Sequence, residues 1–411
     1  MRWRTCPDSR TGRLGRVATR VPARRQEGEA VNTDASVVVI GGGVMGTSIA
    51  CHLARAGVRD VVLVERDELA SGSTSKAAGG VRAQFSDELN IQLGARSLEA
   101  FGRFEEDTGY DIGLHRVGYL FLLSTPEDVA GFEASVRLQN SLGVPSRMID
   151  PAEAQRLSPL ITTDGLLAAA FSPDDGHCTP ESVVHGYASA ARAHGARILR
   201  HTDVTGIELH GDRITAVTTT IGRIATDTVI CAAGAWSRAV GAMAGVDLPV
   251  VPLRRQIAVT EPVEGLPPHL PMTIDFSSSL YFHGEGPGLL LGMSDPDERP
   301  GFATDTHDRW IPRLAAAMEH RAPALLDLRR TAGWAGLYEV TPDHNALIGE
   351  ATSVSRFLYA TGFSGHGFLQ GPAVGEVVRD LYLGRVPFVD VSPLSAGRFA
   401  ADAPRPEANR V

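Results

Sequence analysis

The clearest hydrophobic pattern lies near residue 40, where two short apolar runs flank a glycine-rich turn. Val37–Ile40 and Val61–Val64 each contain four consecutive aliphatic residues, as in strands that are buried on both faces. Thr47–Ala56 has the apolar spacing of a helix and stops at Gly57. This order predicts a strand, a helix and a second, parallel strand.

The glycines of the turn have the spacing that phosphate binding requires. Gly41, Gly43 and Gly46 form a G-x-G-x-x-G pattern, and Glu65 follows the second strand. In such a unit the first glycine allows a tight turn, and the second lets a pyrophosphate approach the backbone closely. The third lets the helix pack closely against the strand. The helix N-terminus attracts the phosphates, and the acid accepts hydrogen bonds from a ribose. A lone pattern is compatible with an ordinary glycine turn, but here all the parts occur in sequence, so we predict a dinucleotide site.

Helical and strand patterns alternate along most of the remaining chain. The apolar spacing predicts helices at 87–104, 126–142, 150–156, 182–194 and 372–383. Apolar runs predict strands at 118–123, 166–171, 197–200, 214–220, 228–231 and 357–360. After residue 249 the pattern changes to short strands among proline and glycine turns, at 256–260, 280–283 and 289–292, with a helix at 309–317.

This change predicts an α/β fold with two intertwined domains. The first is a discontinuous Rossmann-type nucleotide-binding domain, expected at 34–115, 171–248 and 329–390. The second is an inserted α+β substrate domain with an antiparallel sheet, expected at 116–170 and 249–328. Tails are expected at 1–33 and 391–411. The first tail has eight arginines, three acidic residues and no apolar core, which predicts disorder. We favour a start codon placed too early as its explanation, with an arginine-rich transit peptide as the alternative.

Composition narrows the class of protein. The net charge of −9 argues against nucleic acid as a partner, and no apolar run approaches the length of a membrane span. The cysteines are scattered without a C-x-x-C pair, which favours a cytoplasmic location and no structural zinc or other metal.

Lysine usage singles out one position. The chain has 39 lysines and arginines in total, of which only Lys76 is a lysine. If codon drift has replaced lysines by arginines, a lysine is retained where the site needs a compact ammonium group. A single lysine is also compatible with chance survival. Lys76 lies in a Ser-Gly-Ser-Thr-Ser-Lys loop soon after Glu65, which makes it a candidate catalytic cation.

A second glycine-rich segment lies near the C-terminal end of the pattern. Gly362-Phe-Ser-Gly-His-Gly367 opens the last predicted helix, and an anion site is expected at such a helix start. Together with the Ala232-Ala-Gly-Ala-Trp236 and Thr341-Pro-Asp343 motifs, these segments resemble the glycine/D-amino-acid oxidase family of flavoproteins. That family includes sarcosine oxidases, glycine oxidases, dimethylglycine dehydrogenases and proline dehydrogenase β subunits. The resemblance runs from about Ala35 to Leu383, and the Gly-His-Gly loop favours FAD over NAD.

The resemblance implies specific site residues. Candidate catalytic residues are Lys76, Arg82, Tyr281 and His366. His366 is equally open to a role through its backbone alone. Cofactor-binding positions implied by the match are Gly41, Gly43, Val44, Met45, Gly46, Glu65, Arg66, Ser73, Thr74, Lys76, Val204, Ala233, Gly234, Trp236, Gly336, Gly365, His366, Gly367 and Phe368.

Some family positions differ in this chain. Gly336 stands where monomeric sarcosine oxidases attach the flavin through a cysteine, so noncovalent FAD is expected. Leu369, Leu290 and Ser294 stand where those enzymes have polar catalytic side chains. Sarcosine as substrate and fast reaction with oxygen are therefore in doubt.

The resemblance implies FAD-dependent oxidation of a C–N bond in an amino acid or a secondary or N-methyl amine. Hydride passes to flavin N5, the imine hydrolyses, and electrons leave to oxygen or to an acceptor protein. The alternatives are a flavin-binding subunit of a multi-subunit dehydrogenase and a non-catalytic FAD-containing assembly protein. A hetero-oligomer is compatible with the first alternative.

Overall fold

A computed structural model of the chain describes residues 33–409. The predicted tail at 1–33 thus lies outside the described residues, except for Thr33. The helices are α1 (Val44–Arg55), α2 (Glu88–Gly102), α3 (Phe104–Thr108), α4 (Pro126–Ser141), α5 (Pro151–Leu157), α6 (Pro180–Ala193), α7 (Ser237–Met243), α8 (Ile311–Arg321) and α9 (Gly367–Tyr382). The first strands are β1 (Thr33–Asp34), β2 (Val37–Ile40), β3 (Val61–Val64), β4 (Gly80–Val81), β5 (Tyr119–Leu123), β6 (Arg147–Ile149), β7 (Ala168–Ser172), β8 (Gly176–His177), β9 (Arg197–Leu199) and β10 (Val204–His210). The later strands are β11 (Arg213–Thr219), β12 (Gly222–Ala225), β13 (Val229–Cys231), β14 (Val251–Thr260), β15 (Met272–Asp275), β16 (Leu280–Glu285), β17 (Gly288–Gly292), β18 (Arg330–Val340), β19 (Leu347–Glu350) and β20 (Phe357–Thr361).

The first unit is a six-stranded sheet in the order β19-β20-β13-β2-β3-β9. Its pairs are parallel except for β19 with β20. β2 and β3 lie near the centre, and every residue in them is buried. The four-residue apolar runs of the sequence therefore form central strands that are covered on both faces, as predicted.

Different elements cover the two faces of this sheet. One core cluster joins α1, α2, α6 and α9 to one face, with Val37, Val39 and Leu63 among its members. The alternate residues Val38, Ile40 and Val62 belong to a second cluster with β10, β11, β12 and α7. Successive residues of a strand point to opposite faces, which is why neighbours in β2 belong to different cores.

The second unit is an eight-stranded sheet in the order β18-β14-β17-β16-β15-β5-β7-β6. Neighbouring strands of this sheet are antiparallel, except that β15 and β5 run parallel to each other. The predicted class, a Rossmann-type domain with an inserted α+β domain, is confirmed. The single parallel pair departs from the antiparallel sheet that was expected.

Two elements differ clearly from the sequence prediction, the strand β18 and the helix α9. The strand β18 is missing from the sequence prediction because glycines at 333 and 336 interrupt its apolar pattern. It pairs with β14 over ten residue pairs, so the eight-stranded sheet continues beyond residue 328. The helix α9 begins at Gly367 and runs through Pro372, which was expected to start it. The domain boundaries themselves stay predictions.

Among the described helices, none combines the length and the apolarity that a membrane crossing needs.

Candidate active site

One cavity of about 1080 Å³ is lined by residues of both large sheets. From the six-stranded sheet it takes the residues that follow the carboxyl ends of β2, β3 and β13. From the eight-stranded sheet it takes residues of β14, β15, β16 and β18. Ligands of open parallel sheets bind at the carboxyl ends of the strands. The volume lies just above the usual range of ligand pockets, roughly 300–1,000 Å³, and suits a ligand as large as a dinucleotide.

The turn between β2 and α1 forms the first wall. Gly41 has φ of +116°, and an added Cβ would lie 2.3 Å from the carbonyl oxygen of Ala232. An added Cβ at Gly46 would lie 1.9 Å from the carbonyl oxygen of Gly41, so this glycine lets α1 pack against the turn. The N-cap residue Gly43 has no side chain to cap α1, and Thr74 Oγ1 accepts only from Val44 N–H, at 3.2 Å, which leaves later N–H groups of the first helical turn for a ligand.

Glu65 is held in place by the backbone. Its Oε2 accepts a hydrogen bond from Gly42 N–H at 2.7 Å, and its Oε1 accepts one from Asp67 N–H at 2.8 Å. Each carboxylate oxygen has a further acceptor position. The side chain is therefore fixed at the cavity wall and can still accept the hydroxyl groups of a ribose.

The second helix start is that of α9. His366 is its N-cap residue and is buried, with its ring 5.5 Å from the ring of Phe85 between centroids. Burial lowers the pKa of His366 to about 4, so the ring is neutral at pH 7. Among the described residues, its Nε2 is buried without a hydrogen-bond partner. Gly365 has φ of +107°, and an added Cβ there would lie 2.4 Å from the ring of Tyr338.

The loop that carries Lys76 lies on β18. Ser73 Oγ donates to the carbonyl oxygen of Leu337 at 2.7 Å, and Trp334 Nε1 donates to that of Lys76 at 3.1 Å. An added Cβ at Gly336 would lie 2.5 Å from the Cβ of Lys76. The only lysine of the chain is thus in the cavity wall. It packs against Gly336, the position at which monomeric sarcosine oxidases are expected to attach the flavin through a cysteine.

Two stacked aromatic rings and an arginine cover one part of the cavity. The guanidinium carbon of Arg66 lies 3.8 Å from the centre of the Trp236 ring. The ring of Phe302, in the segment between β17 and α8, stacks on Trp236 with 5.5 Å between centroids. Val204 and Glu65 line the same cavity, and binding of the adenosine by this group stays a prediction.

Arg82 lies at the other end and is 6% exposed. Its Nη1 donates to the carbonyl oxygen of Gln84, and its Nη2 donates to that of Asn409 at 2.7 Å. The guanidinium carbon is 4.0 Å from the centre of the Phe85 ring. Burial lowers the pKa of Arg82, whereas Tyr119 and the carboxylates of Glu407 and Asp175 raise it, and an arginine remains cationic in such a site.

A second cation at this end was not found from the sequence. Arg255 lies in β14, with its guanidinium carbon 5.1 Å from the centre of the Tyr338 ring. Its Nε is buried and has no partner among the described residues. Its neighbour Arg254 forms a buried ion pair with Glu298 at 3.0 Å. Burial raises the pKa of Tyr281 and of Tyr338, so both phenols keep their protons.

The predicted site residues gather in one place, although their individual roles stay predictions. Those that line the cavity are Gly41, Gly43, Val44, Met45, Glu65, Arg66, Ser73, Thr74, Lys76, Arg82, Val204, Ala233, Gly234, Trp236, Tyr281, Gly336, Gly365, His366, Gly367 and Phe368. Gly46 does not line it and acts in packing. The lining residues that were not predicted as site residues include Arg255, Tyr119, Tyr338 and Glu339.

The residues of the cavity fit FAD. Two helix starts whose N-cap residues form no side-chain cap provide N–H donors, and Glu65 provides acceptors. The buried Nε of Arg255 and Nε2 of His366 have no protein partner among the described residues. A buried donor or acceptor without a partner is costly, so these atoms are expected to meet a ligand.

Comparison with known proteins agrees with this fit. A family model described as FAD dependent oxidoreductase (DAO) matches residues 36–381. The chain is 33% identical over 386 residues to the mitochondrial dimethylglycine dehydrogenase of Rattus norvegicus, which covers 89% of this chain. The present chain spans about half the length of this relative, with 45% of the relative covered by the match.

Two solved structures have the same fold. The L-proline dehydrogenase of P. horikoshii has a TM-score of 0.86 and 33% identity, and the match covers 91% of this chain and 100% of that one. The glycine oxidase of Geobacillus kaustophilus has a TM-score of 0.79 and 26% identity, with 89% of this chain and 99% of that one covered. The preference for FAD over NAD is confirmed at the level of the family. The chain belongs to the FAD dependent oxidoreductase (DAO) family.

Proposed function

We propose that this chain oxidises the C–N bond of an amino acid or of a secondary or N-methyl amine, with FAD as cofactor. The observation that carries the proposal is that one cavity joins the two glycine-rich helix starts to a cluster of arginine and tyrosine side chains from the other sheet. A dinucleotide and a small anionic substrate can therefore lie in contact. FAD supplies the electron-pair acceptor of such a reaction, and the protein orients the substrate.

Arg255 is our candidate for the group that binds the substrate carboxylate. Its Nε is buried without a protein partner among the described residues, and an arginine pairs well with a planar carboxylate. The protonated phenols of Tyr281 and Tyr338 add hydrogen-bond donors beside it. Arg82 adds a second positive charge at this end, although two of its nitrogen atoms already donate to backbone carbonyl oxygens.

The substrate amine is best bound in its neutral form. His366 is neutral at pH 7, because burial lowers its pKa to about 4, and its free Nε2 can accept a hydrogen bond. Ile257, Met272 and Ile274 line the cavity with apolar surface and exclude water from this end. A neutral amine has a nitrogen lone pair, so the reaction does not require a separate base.

The cofactor attachment and the partners are part of the proposal. FAD is bound noncovalently, because Gly336 offers no side chain and packs on Lys76. The electrons pass to oxygen or to an acceptor protein, and a hetero-oligomer with such a protein is compatible with the fold. We keep the cytoplasmic location as a prediction; the described cysteines, Cys51, Cys178 and Cys231, are all free thiols.

Anaerobic reduction of the bound flavin tests the proposal. The purified protein is mixed with N-methyl, cyclic, D- and L-amino acids, and the visible flavin absorption is followed. Bleaching by at least one carboxylate-bearing amine is expected, and matched amides should react more slowly. A flavin that no amine in a broad panel bleaches would favour the non-catalytic alternative. Bleaching with slow return of the colour in air would favour a dehydrogenase subunit over an oxidase.

A further inference from the structure

A short segment of the predicted C-terminal tail contacts Arg82, a residue that lines the cavity. Residues 405–409, which we call the 405–409 strap, pass beside the loop that carries Arg82. Glu407 and Asn409 in this strap are 1% and 2% exposed, although both are polar. Tails rarely bury polar side chains this completely unless contacts hold them, so each contact of the strap is informative.

Glu407 is the main anchor of the strap. Its Oε1 accepts from Ser86 Oγ at 2.6 Å, from Asn409 N–H at 2.8 Å and from Ser86 N–H at 2.9 Å. Its Oε2 accepts from Asn90 Nδ2 at 2.9 Å and from Asp87 N–H at 3.2 Å, at the start of α2. Burial raises the pKa of Glu407, but the hydrogen bonds from Ser86 and Asn90 outweigh it and hold the pKa below its usual range. The side chain is therefore a buried anion.

Further contacts hold the strap on both sides of Glu407. Ala408 N–H donates to Ser86 Oγ at 2.9 Å, and Arg405 N–H donates to Asp343 Oδ2 at 2.9 Å. The guanidinium group of Arg405 pairs with Asp87. These bonds fix the path of the backbone as far as Asn409.

The strap ends on Arg82. The carbonyl oxygen of Asn409 accepts from Arg82 Nη2 at 2.7 Å. Within residues 33–409, Arg82 forms no ion pair shorter than 4.0 Å, so no carboxylate contacts this buried cation directly. Glu407 and Asp175 are the carboxylates whose charges raise the pKa of Arg82. Glu407 thus balances the charge of Arg82 from a distance, and the strap supplies a neutral acceptor in between.

We propose that the 405–409 strap is a working part of the substrate site, in which Glu407 is a positioning residue that holds Arg82 in the cavity wall and keeps water from it. This inference rests on the proposed function for the role of Arg82, but its contacts do not depend on turnover. A buried guanidinium attracts an anion strongly because water does not screen it. Release of the strap would let water reach Arg82 and would remove one acceptor that aims it.

Glu407→Gln is the variant that tests the inference. The amide cannot accept all five hydrogen bonds that Glu407 accepts, and its NH₂ group faces donors, so the strap is expected to detach. The probe is acetate, and its dissociation constant is measured by calorimetry on the FAD-loaded protein without any substrate. We expect acetate to bind at least tenfold more weakly. Glu407→Asp keeps the charge and should restore part of the affinity, and Ser86→Ala, a milder change, should weaken acetate about threefold.

Matched controls separate this result from others. Asp402→Asn removes an exposed carboxylate close to the strap and should leave acetate binding unchanged. Acetamide, an uncharged analogue of the probe, should bind the wild type and Glu407→Gln equally. Hydrogen exchange at 405–409 should increase in Glu407→Gln while flavin content is retained. If Glu407→Gln does not fold, Ser86→Ala alone decides the matter.

Tighter binding of acetate to Glu407→Gln would overturn the inference, because it would mean that Glu407 acts only as a nearby negative charge. Unchanged binding together with increased exchange at the strap would overturn it as well. Failure of the proposed oxidation would look different. No amine would then reduce the flavin of the wild type, whereas the variants would still differ in acetate affinity.

Discussion

Gly43 and Gly46, in the β2–α1 turn and the first turn of α1, differ in the atoms that an added methyl group would contact. Alanine variants at these two positions can therefore separate the stability of the fold from the affinity for FAD. In Gly46→Ala the new Cβ would lie 1.9 Å from the carbonyl oxygen of Gly41, about 1.5 Å inside ordinary contact. Because the obstacle is backbone, overpacking should cost about 3 kcal/mol. The better helix propensity of alanine returns about 1 kcal/mol. For a chain of 411 residues, a net loss of about 2 kcal/mol corresponds to a fall in Tm of about 2–3 °C.

Gly43→Ala should have the opposite profile. Its Cβ would meet only Thr74 Oγ1, at 3.2 Å, and the backbone at φ −78° and ψ −173° is open to any residue. The fold should change by less than about 0.5 kcal/mol. The methyl group occupies the approach of the pyrophosphate, so FAD should bind at least tenfold more weakly, which is about 1.4 kcal/mol.

The assay compares melting of the FAD-free protein with FAD titration for both variants. Gly131→Ala in α4 is the matched control, since an added Cβ there meets nothing within 4 Å. It should leave FAD affinity unchanged. Wild-type FAD affinity in Gly43→Ala would refute the assignment of this turn to the pyrophosphate. Equal loss of stability in Gly43→Ala and Gly46→Ala would refute the packing argument.

Two further predictions concern single side chains. Lys76→Met should slow flavin reduction or reoxidation by about tenfold, because an ammonium in a dry cavity wall stabilises developing negative charge. Lys76→Arg should not restore the rate fully, and stopped-flow kinetics at normal flavin content would check both; wild-type rates in Lys76→Met would make this lysine a survivor of codon drift. Burial, with Arg379, Arg55 and Arg96, lowers the pKa of His52 to about 3 from 6.5. Between these values only the unfolded chain binds the proton, so stability is full above pH 6.5 and falls by about 1.4 kcal/mol per pH unit as the pH drops toward 3. Melting at several pH values should show a shallower fall in His52→Leu, and an equal fall would exclude this histidine as the source.

The sequence predicts the nucleotide unit well because its signals are local. The four-residue apolar runs of β2 and β3 and the glycines between them each require one local structure, and all of them occur in the expected places. Arg255 carries no such signal. Its neighbour Arg254 points to the other side of β14 and forms an ion pair with Glu298, so only the register of the strand decides which arginine lines the cavity.

The 405–409 strap could not be predicted for a similar reason. Its segment has no periodic pattern, and Glu407 meets its partners Ser86 and Asn90 from more than 300 residues away. Only the tertiary structure brings these groups together. The strand β18 lies between these two cases. Its glycines interrupt the apolar pattern that would have predicted a strand, although it pairs with β14 over ten residue pairs.

Single-turnover oxidation under anaerobic conditions tests the central claim most directly. The FAD-loaded protein is mixed with an excess of the amine that bleaches its flavin best, and the carbonyl product is quantified against the flavin. Our account predicts one equivalent of carbonyl product for each flavin reduced, with no product from the FAD-free protein. A flavin that dithionite reduces but no amine reduces, or a reduced flavin without carbonyl product, would contradict the assignment of C–N oxidation to this cavity.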